Sequence, residues 1–211
     1  MGTILQLNQQ HRNLSTVSEN NSKMVKEGRK NEDVIRDTIR YNLLSVLGHS
    51  KMAEYDVIDG KTVTEKTNPV LFNKLSINGK IPDVDIVVVH NRSLTPMVLI
   101  SVKMSMKDTH SYNTLWHMEA YTKKEIPYVV VTKCETFKTG NSKYLNFFEP
   151  VVNGGFGGFI FINKAMERDG HEDETALDYT YNNVVRPFSE LVPYIVDKLK
   201  DKINESINKF W

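Results

Sequence analysis

From Asn31 onward the chain passes between helical and extended hydrophobic patterns. Val34, Ile35, Ile39, Leu43, Leu44 and Leu47 recur at helical spacing. Asn31 suits an N-cap, Glu32 and Asp33 fall in a first turn where the helix dipole favours acids, and Gly48 can end the helix. Before it, the Asn/Ser-rich stretch Ser15, Ser18, Asn20, Asn21 and Ser22 reads as a loop. Residues 53–58 and 62–66 are expected as short strands paired about the Asp59-Gly60 turn. The runs Asp85 to His90 (DIVVVH) and Met97 to Val102 (MVLISV) are β-branched and apolar, which predicts two buried strands joined by a turn. Leu115 to Lys123 predicts a helix, and Pro127 to Thr132 another buried strand. A further strand is expected over Phe156 to Ile162, after Gly154-Gly155. Positions 191, 192, 195, 196, 199, 203 and 207 are apolar, making Phe188 to Phe210 an amphipathic helix despite Pro193. This order predicts the α/β class, with a mixed central sheet flanked by helices.

A chain of 211 residues with 40% hydrophobic content can bury a substantial core, and a single domain over 1–211 is expected. The lone Cys134 can form no internal disulfide and points to a reducing, cytoplasmic setting. No apolar run reaches the length of a membrane span, and the polar N-terminus carries no signal-peptide pattern. The net charge of +1 conceals an asymmetry: 20 basic against 16 acidic residues up to position 150, then 7 against 10. Any polyanion contact is therefore expected in the first two thirds.

Candidate chemistry lies where two of the strands begin and end. Ile81-Pro82-Asp83-Val84-Asp85 leads into the DIVVVH strand, and the next strand closes on Ile100-Ser101-Val102-Lys103. Alternation places Ser101 and Lys103 on one face. If the two strands pair as a hairpin, Asp83 and Lys103 meet at one end of the sheet. A carboxylate that holds a divalent cation, beside a lysine that positions water and offsets charge, suits phosphodiester hydrolysis. Each feature alone is ordinary turn or strand-end chemistry; their occurrence on successive buried strands is more specific.

Pro82-Asp83 followed by Ser101-Val102-Lys103 resembles the PD-(D/E)xK nuclease signature, and most closely that of type II restriction endonucleases. The usual acid two residues before the lysine is replaced by Ser101. A subset of these enzymes, including those that cut sites with a central CCGG, shares the Ser-Val-Lys reading and takes the missing carboxylate from the following helix. The resemblance spans about residues 28–132 and implies a restriction-endonuclease-like core at about 28–165, with a C-terminal helical region at about 184–211. It implies a magnesium-dependent endonuclease in a prokaryotic cytoplasm, cutting a short duplex site as a two-fold homodimer. By the same resemblance, Asp83 and Glu119 bind the metal, Lys103 positions the attacking water, and Ser101 takes the place of an acid. Glu32 is the candidate for an assisting acid on the first helix.

The segment Met104 to Asn113 is dense in side chains that can read base edges, and Lys107, Asp108, His110, Tyr112 and Asn113 are the candidate DNA contacts. It lacks the arginines that read guanine in the CCGG-cutting enzymes. His110 and His117, seven apart with no cysteine near them, lack zinc spacing; His117 is read as a packing or DNA-contact residue, and Trp116 as core. Gly154 to Gly158 lacks the Lys-Ser/Thr of a nucleotide loop. Two other readings stay open: a structure-selective repair or junction nuclease on the same sheet, and a non-catalytic DNA-binding protein with a degenerate site.

Overall fold

The computed structural model describes residues 3–103, 108–132, 160–162 and 185–208, with side chains at 26, 28–103, 113, 114, 116–132 and 186–200. Helix α1 (Thr3–Met52) leads to strand β1 (Tyr55–Asp59), a 3-10 turn (Gly60–Thr62) and a short α2 (Pro69–Leu75). Strands β2 (Ile86–His90) and β3 (Thr95–Lys103) follow, then α3 (Asp108–Thr122) and β4 (Tyr128–Thr132). Two short strands, β5 (Ile160–Ile162) and β6 (Val185–Pro187), precede helix α4 (Leu191–Asn208). The sheet runs β1-β2-β3-β4-β5-β6. Its first two pairings are antiparallel, and every pairing from β3 to β6 is parallel. A parallel β3–β4 pair needs a crossover, which α3 supplies.

Both faces of the sheet are covered, so its central strands can be apolar throughout. On one face Ile35, Ile39 and Leu43 of α1, with Leu191, Ile195 and Leu199 of α4, pack on Val57, Ile86, Val88, Ile100, Val129 and Val131. Side chains of this kind contribute about 1.5–3 kcal/mol each when fully buried. On the other face α2 packs against β3 and α3 against β4. There Tyr121 stacks on Tyr128 with ring centroids 5.5 Å apart, and its hydroxyl donates to the Leu75 carbonyl at 3.0 Å. Arg40 ties α1 to the sheet edge by donating to the Val57 carbonyl at 2.5 Å.

The α/β class and the mixed sheet agree with the sequence reading, and several local expectations do not. Helix α1 runs through both the Asn/Ser-rich stretch and Asn31, so Asn31 is an internal residue rather than a cap. Neither Pro nor any Gly except Gly28 interrupts positions 3–47, so nothing in the backbone stops the helix earlier. Gly48 does break the helical ladder, at φ 73° and ψ 164°, a conformation essentially confined to glycine. No strand forms at 62–66. The Asp59 carboxylate accepts the Lys61 N–H at 2.8 Å, which starts the 3-10 turn, and β1 pairs with β2 instead. Asn68 then caps α2 by accepting from Leu71 N–H at 3.0 Å, with Pro69 at its first position. Helix α3 starts at Asp108 rather than at the expected Leu115, so residues 108–113 are helical, and β6 went unforeseen. Cys134, Gly154 to Gly158 and the expected helix end at Phe210 lie outside the described residues. Among the described residues no helix is long and apolar enough to cross a membrane.

The turn after β1 fits tightly against the start of β2. A Cβ at Gly60 would stand 2.3 Å from the Val84 carbonyl oxygen, a backbone atom that cannot step aside. Gly60→Ala is expected to destabilise the fold by about 2–3 kcal/mol, the cost of overpacking, read as a lower urea midpoint at unchanged m-value.

Candidate functional site

The β2–β3 register sets the site. Ile86 faces Ile100, and continuing the antiparallel pairing brings Asp85 opposite Ser101 and Asp83 opposite Lys103. Two backbone bonds hold the lead-in strand: Asp85 N–H to the Ile100 carbonyl at 3.0 Å, and Gly60 N–H to the Asp85 carbonyl at 2.8 Å. Asp83 itself adopts φ 35°, in the left-handed region that Asp tolerates better than most residues. Its carboxylate forms an ion pair with the Lys103 ammonium, whose side chain is only 13% exposed.

Asp85 places a carboxylate beside Ser101. Its side chain is buried, and Oδ2 accepts from the Val102 N–H at 2.7 Å and from the Ser101 hydroxyl at 3.3 Å. An acid is thus held over the serine from the neighbouring strand. Tyr128 closes the group by donating to the Asp83 carbonyl at 2.9 Å. Burial, joined by the nearby Asp83 and Asp85 charges, pushes the Tyr128 phenol well above its ordinary range, although a bond with Ser101 works the other way. The phenol is therefore a neutral donor at every working pH.

Beyond Asp85 lies a second ion-pair group. Lys61 Nζ stands 2.5 Å from Glu32 Oε2 and 3.3 Å from Asp85 Oδ1. Burial and the neighbouring Asp85 raise the Glu32 pKa, with Lys61 opposing them. Burial alone would lower the Lys61 pKa, but its two carboxylate partners outweigh burial and raise it. The three charges form a minus-plus-minus row: the central cation gains from both neighbours, while each acid also feels the other.

Helix α3 presents a different residue from the one expected. Among its described side chains, Thr114, His117, Met118 and Tyr121 are buried. Glu119 instead pairs with Lys123 at 2.7 Å, one turn along the helix, and no contact joins it to Asp83 or Lys103. His117 lies within electrostatic reach of both Asp83 and Lys103, and its ring meets that of Tyr128 in a T-shaped contact with centroids 6.2 Å apart. Trp116, expected in the core, is 50% exposed because the inward stripe runs through its neighbours. Among the candidate DNA contacts, Lys107 lies outside the described residues. Asp108, His110 and Tyr112 are on the first turns of α3, with side chains outside the described set, and Asn113 is exposed on the same helix. The structure therefore brings together Asp83, Ser101 and Lys103, and joins Glu32 to them through Lys61 and Asp85.

Sequence reasoning passed over Asp85, Lys61 and Tyr128, and read His117 only as a packing or DNA-contact residue. The Asp-Val-Asp spacing was the available signal for Asp85, since alternate residues of an extended chain share a face. Lys61 sits in a turn with no pattern to mark it.

Among the described residues, no three His, Cys, Asp or Glu side chains converge as a metal cage. Two aspartates at one strand mouth are instead a hard-oxygen donor set, and magnesium commonly takes one or two carboxylates with waters and phosphate oxygens. The donors fit magnesium of that kind. On this side of the sheet His117 Nδ1 and Thr132 Oγ1 are buried without a hydrogen-bond partner, and Thr132 is the register partner of Lys103. Such atoms have polar capacity left for water or a ligand. No protein-family model, no curated protein and no solved structure matches this chain.

Burial, opposed by Asp83 and assisted by Lys103, lowers the His117 pKa from its ordinary 6.5. Protonation then favours the unfolded chain, so this stability is complete above pH 6.5 and is lost as pH falls through the lower folded-state value. Unfolding free energies measured between pH 7.5 and 4.5 should show an additional slope of up to about 1.4 kcal/mol per pH unit. The His117→Gln variant should lack that component.

Proposed function

We infer that this protein is a sequence-specific endonuclease that hydrolyses phosphodiester bonds of double-stranded DNA with magnesium, of the type II restriction kind. The observation that carries this reading is the pairing of two aspartates at the mouth of β2 with the Ser-Val-Lys end of β3, including the Asp83–Lys103 ion pair. The restriction-endonuclease-like core and the two-fold homodimer on a palindromic site belong to the same proposal.

Asp83 and Asp85 would hold the magnesium ion, whose charge would lower the pKa of a bound water and polarise the scissile phosphate. Lys103, sheltered and held by Asp83, orients the attacking water and offsets negative charge developing on the phosphate. Ser101 and the Val102 N–H fix the Asp85 carboxylate, so the residue that replaced the usual acid now positions one. Tyr128 steadies the Asp83 backbone from β4. On this reading the second carboxylate is Asp85 rather than Glu119. The exposed Asn113 and Trp116, three residues apart on α3, would face the DNA beside the site.

One observation favours the non-catalytic DNA-binding reading: among the described residues no third carboxylate joins the two aspartates as a cage. Plasmid cleavage separates the two. With magnesium, the wild type should cut at discrete sites. Lys103→Ala should lower the rate by about 100-fold or more, the scale seen when a transition-state charge partner is removed. Undiminished cleavage by that variant would withdraw the assignment, and a wild type inert with both magnesium and manganese would leave the binding protein.

Two further variants locate the second acid. Asp85→Asn should lose cleavage on a similar scale of about 100-fold, while Glu119→Ala should cut at close to the wild-type rate. The reverse order would restore Glu119 to the site.

A further inference from the structure

The second ion-pair group sits beside the proposed metal position and is built with unusual firmness. Lys61 is delivered by a turn pinned at three points: its own N–H bonds to Asp59, Gly60 N–H bonds to the Asp85 carbonyl, and Gly60 abuts the Val84 carbonyl with no room for a side chain. Its acceptors come from two other elements, Glu32 from α1 and Asp85 from the start of β2. Both acids are sheltered, with side chains 18% and 6% exposed, whereas the Lys61 stem is about half exposed. An ammonium therefore occupies the point where a helix carboxylate and a strand carboxylate converge. Asp85 is shared: one oxygen is held by Ser101 and Val102, and the other faces Lys61.

We propose that Lys61 is the site's permanent second cation, filling the place between Glu32 and Asp85 so that each chain works with a single divalent ion. This rests on the nuclease reading above and gives Lys61 a role in it. The ammonium takes the charge-balancing part of a second metal, and it holds Asp85 in position without occupying the Asp83 side. Glu32, the acid expected to assist a second metal, serves instead as the outer anchor of the lysine.

The test is a calorimetric titration of the full-length protein with manganese chloride, without DNA, together with the magnesium dependence of plasmid cleavage. The wild type should bind one manganese per chain, and its cleavage rate should rise with first-order dependence on magnesium. Lys61→Met leaves two facing carboxylates without their cation. It should bind two manganese ions per chain and cleave with second-order magnesium dependence, while Lys61→Arg should keep the wild-type stoichiometry. Two ions bound by the wild type would overturn the inference, a result that needs no variant to fold. One ion in the wild type and still one in a folded Lys61→Met would overturn it while leaving the nuclease reading intact. A wild type that binds no manganese and cuts no DNA would remove both.

Discussion

The Asp85 carboxylate is the interaction on which the rest of the site depends. A buried carboxylate is costly unless its charge is balanced and its oxygens accept hydrogen bonds. Here the Val102 N–H, the Ser101 hydroxyl and the Lys61 ammonium all meet it. Through these contacts one side chain joins β2 to β3, and the sheet to the turn after β1 and on to α1. Leaving one member of such a group unpaired typically costs about 3–5 kcal/mol. Because the compensation comes from β3 and from the turn after β1, the group forms only when both are in place. That requirement also sets the spacing between Asp83 and Lys103.

How much of this was legible depends on the range of the interactions. The β-branched runs at 86–90, 97–102 and 128–132 declared themselves, because strands covered on both faces must be apolar throughout. The pairing of Asp83 with Lys103 was readable for the same reason: a hairpin register follows from two adjacent strands and a short turn. Glu32 was legible as a residue but not in its partner, since Lys61 lies in a turn whose conformation depends on Asp59 and on contact with Val84. The turn was first read as a hairpin because Asp-Gly favours both conformations, and only the availability of β2 as a partner for β1 decides between them. On α3, hydrophobic spacing could not rank His117 above Glu119. Both lie near the inner stripe, and the packing of Tyr121 on Tyr128 fixes how the helix is turned.

Charge sharpens the picture. Asp83, Asp85 and Glu32 face Lys61 and Lys103, so the group carries one unit of negative charge in excess. A phosphate backbone approaching it would be repelled, and on the nuclease reading one added divalent ion reverses the sign. On the same nuclease reading, the overall +1 of the chain would permit release from unrelated DNA, because salt-dependent backbone attraction stays small.

The left-handed backbone at Asp83 carries an implication for how this site could change over time. Most side chains would pay about 1–2 kcal/mol to adopt that conformation, whereas Gly, Asn and Asp enter it with less strain. Of those three, only aspartate is charged. The substitutions the backbone accepts most readily are therefore the very ones that discharge the site, each of them reachable from an aspartate codon by a single base change. On the nuclease reading, a lineage in which cutting became harmful could abandon the chemistry here while retaining a folded chain. At Asp85, by contrast, loss of charge would strain the junction of three elements, so silencing the site and keeping its shape are separable at one aspartate and coupled at the other.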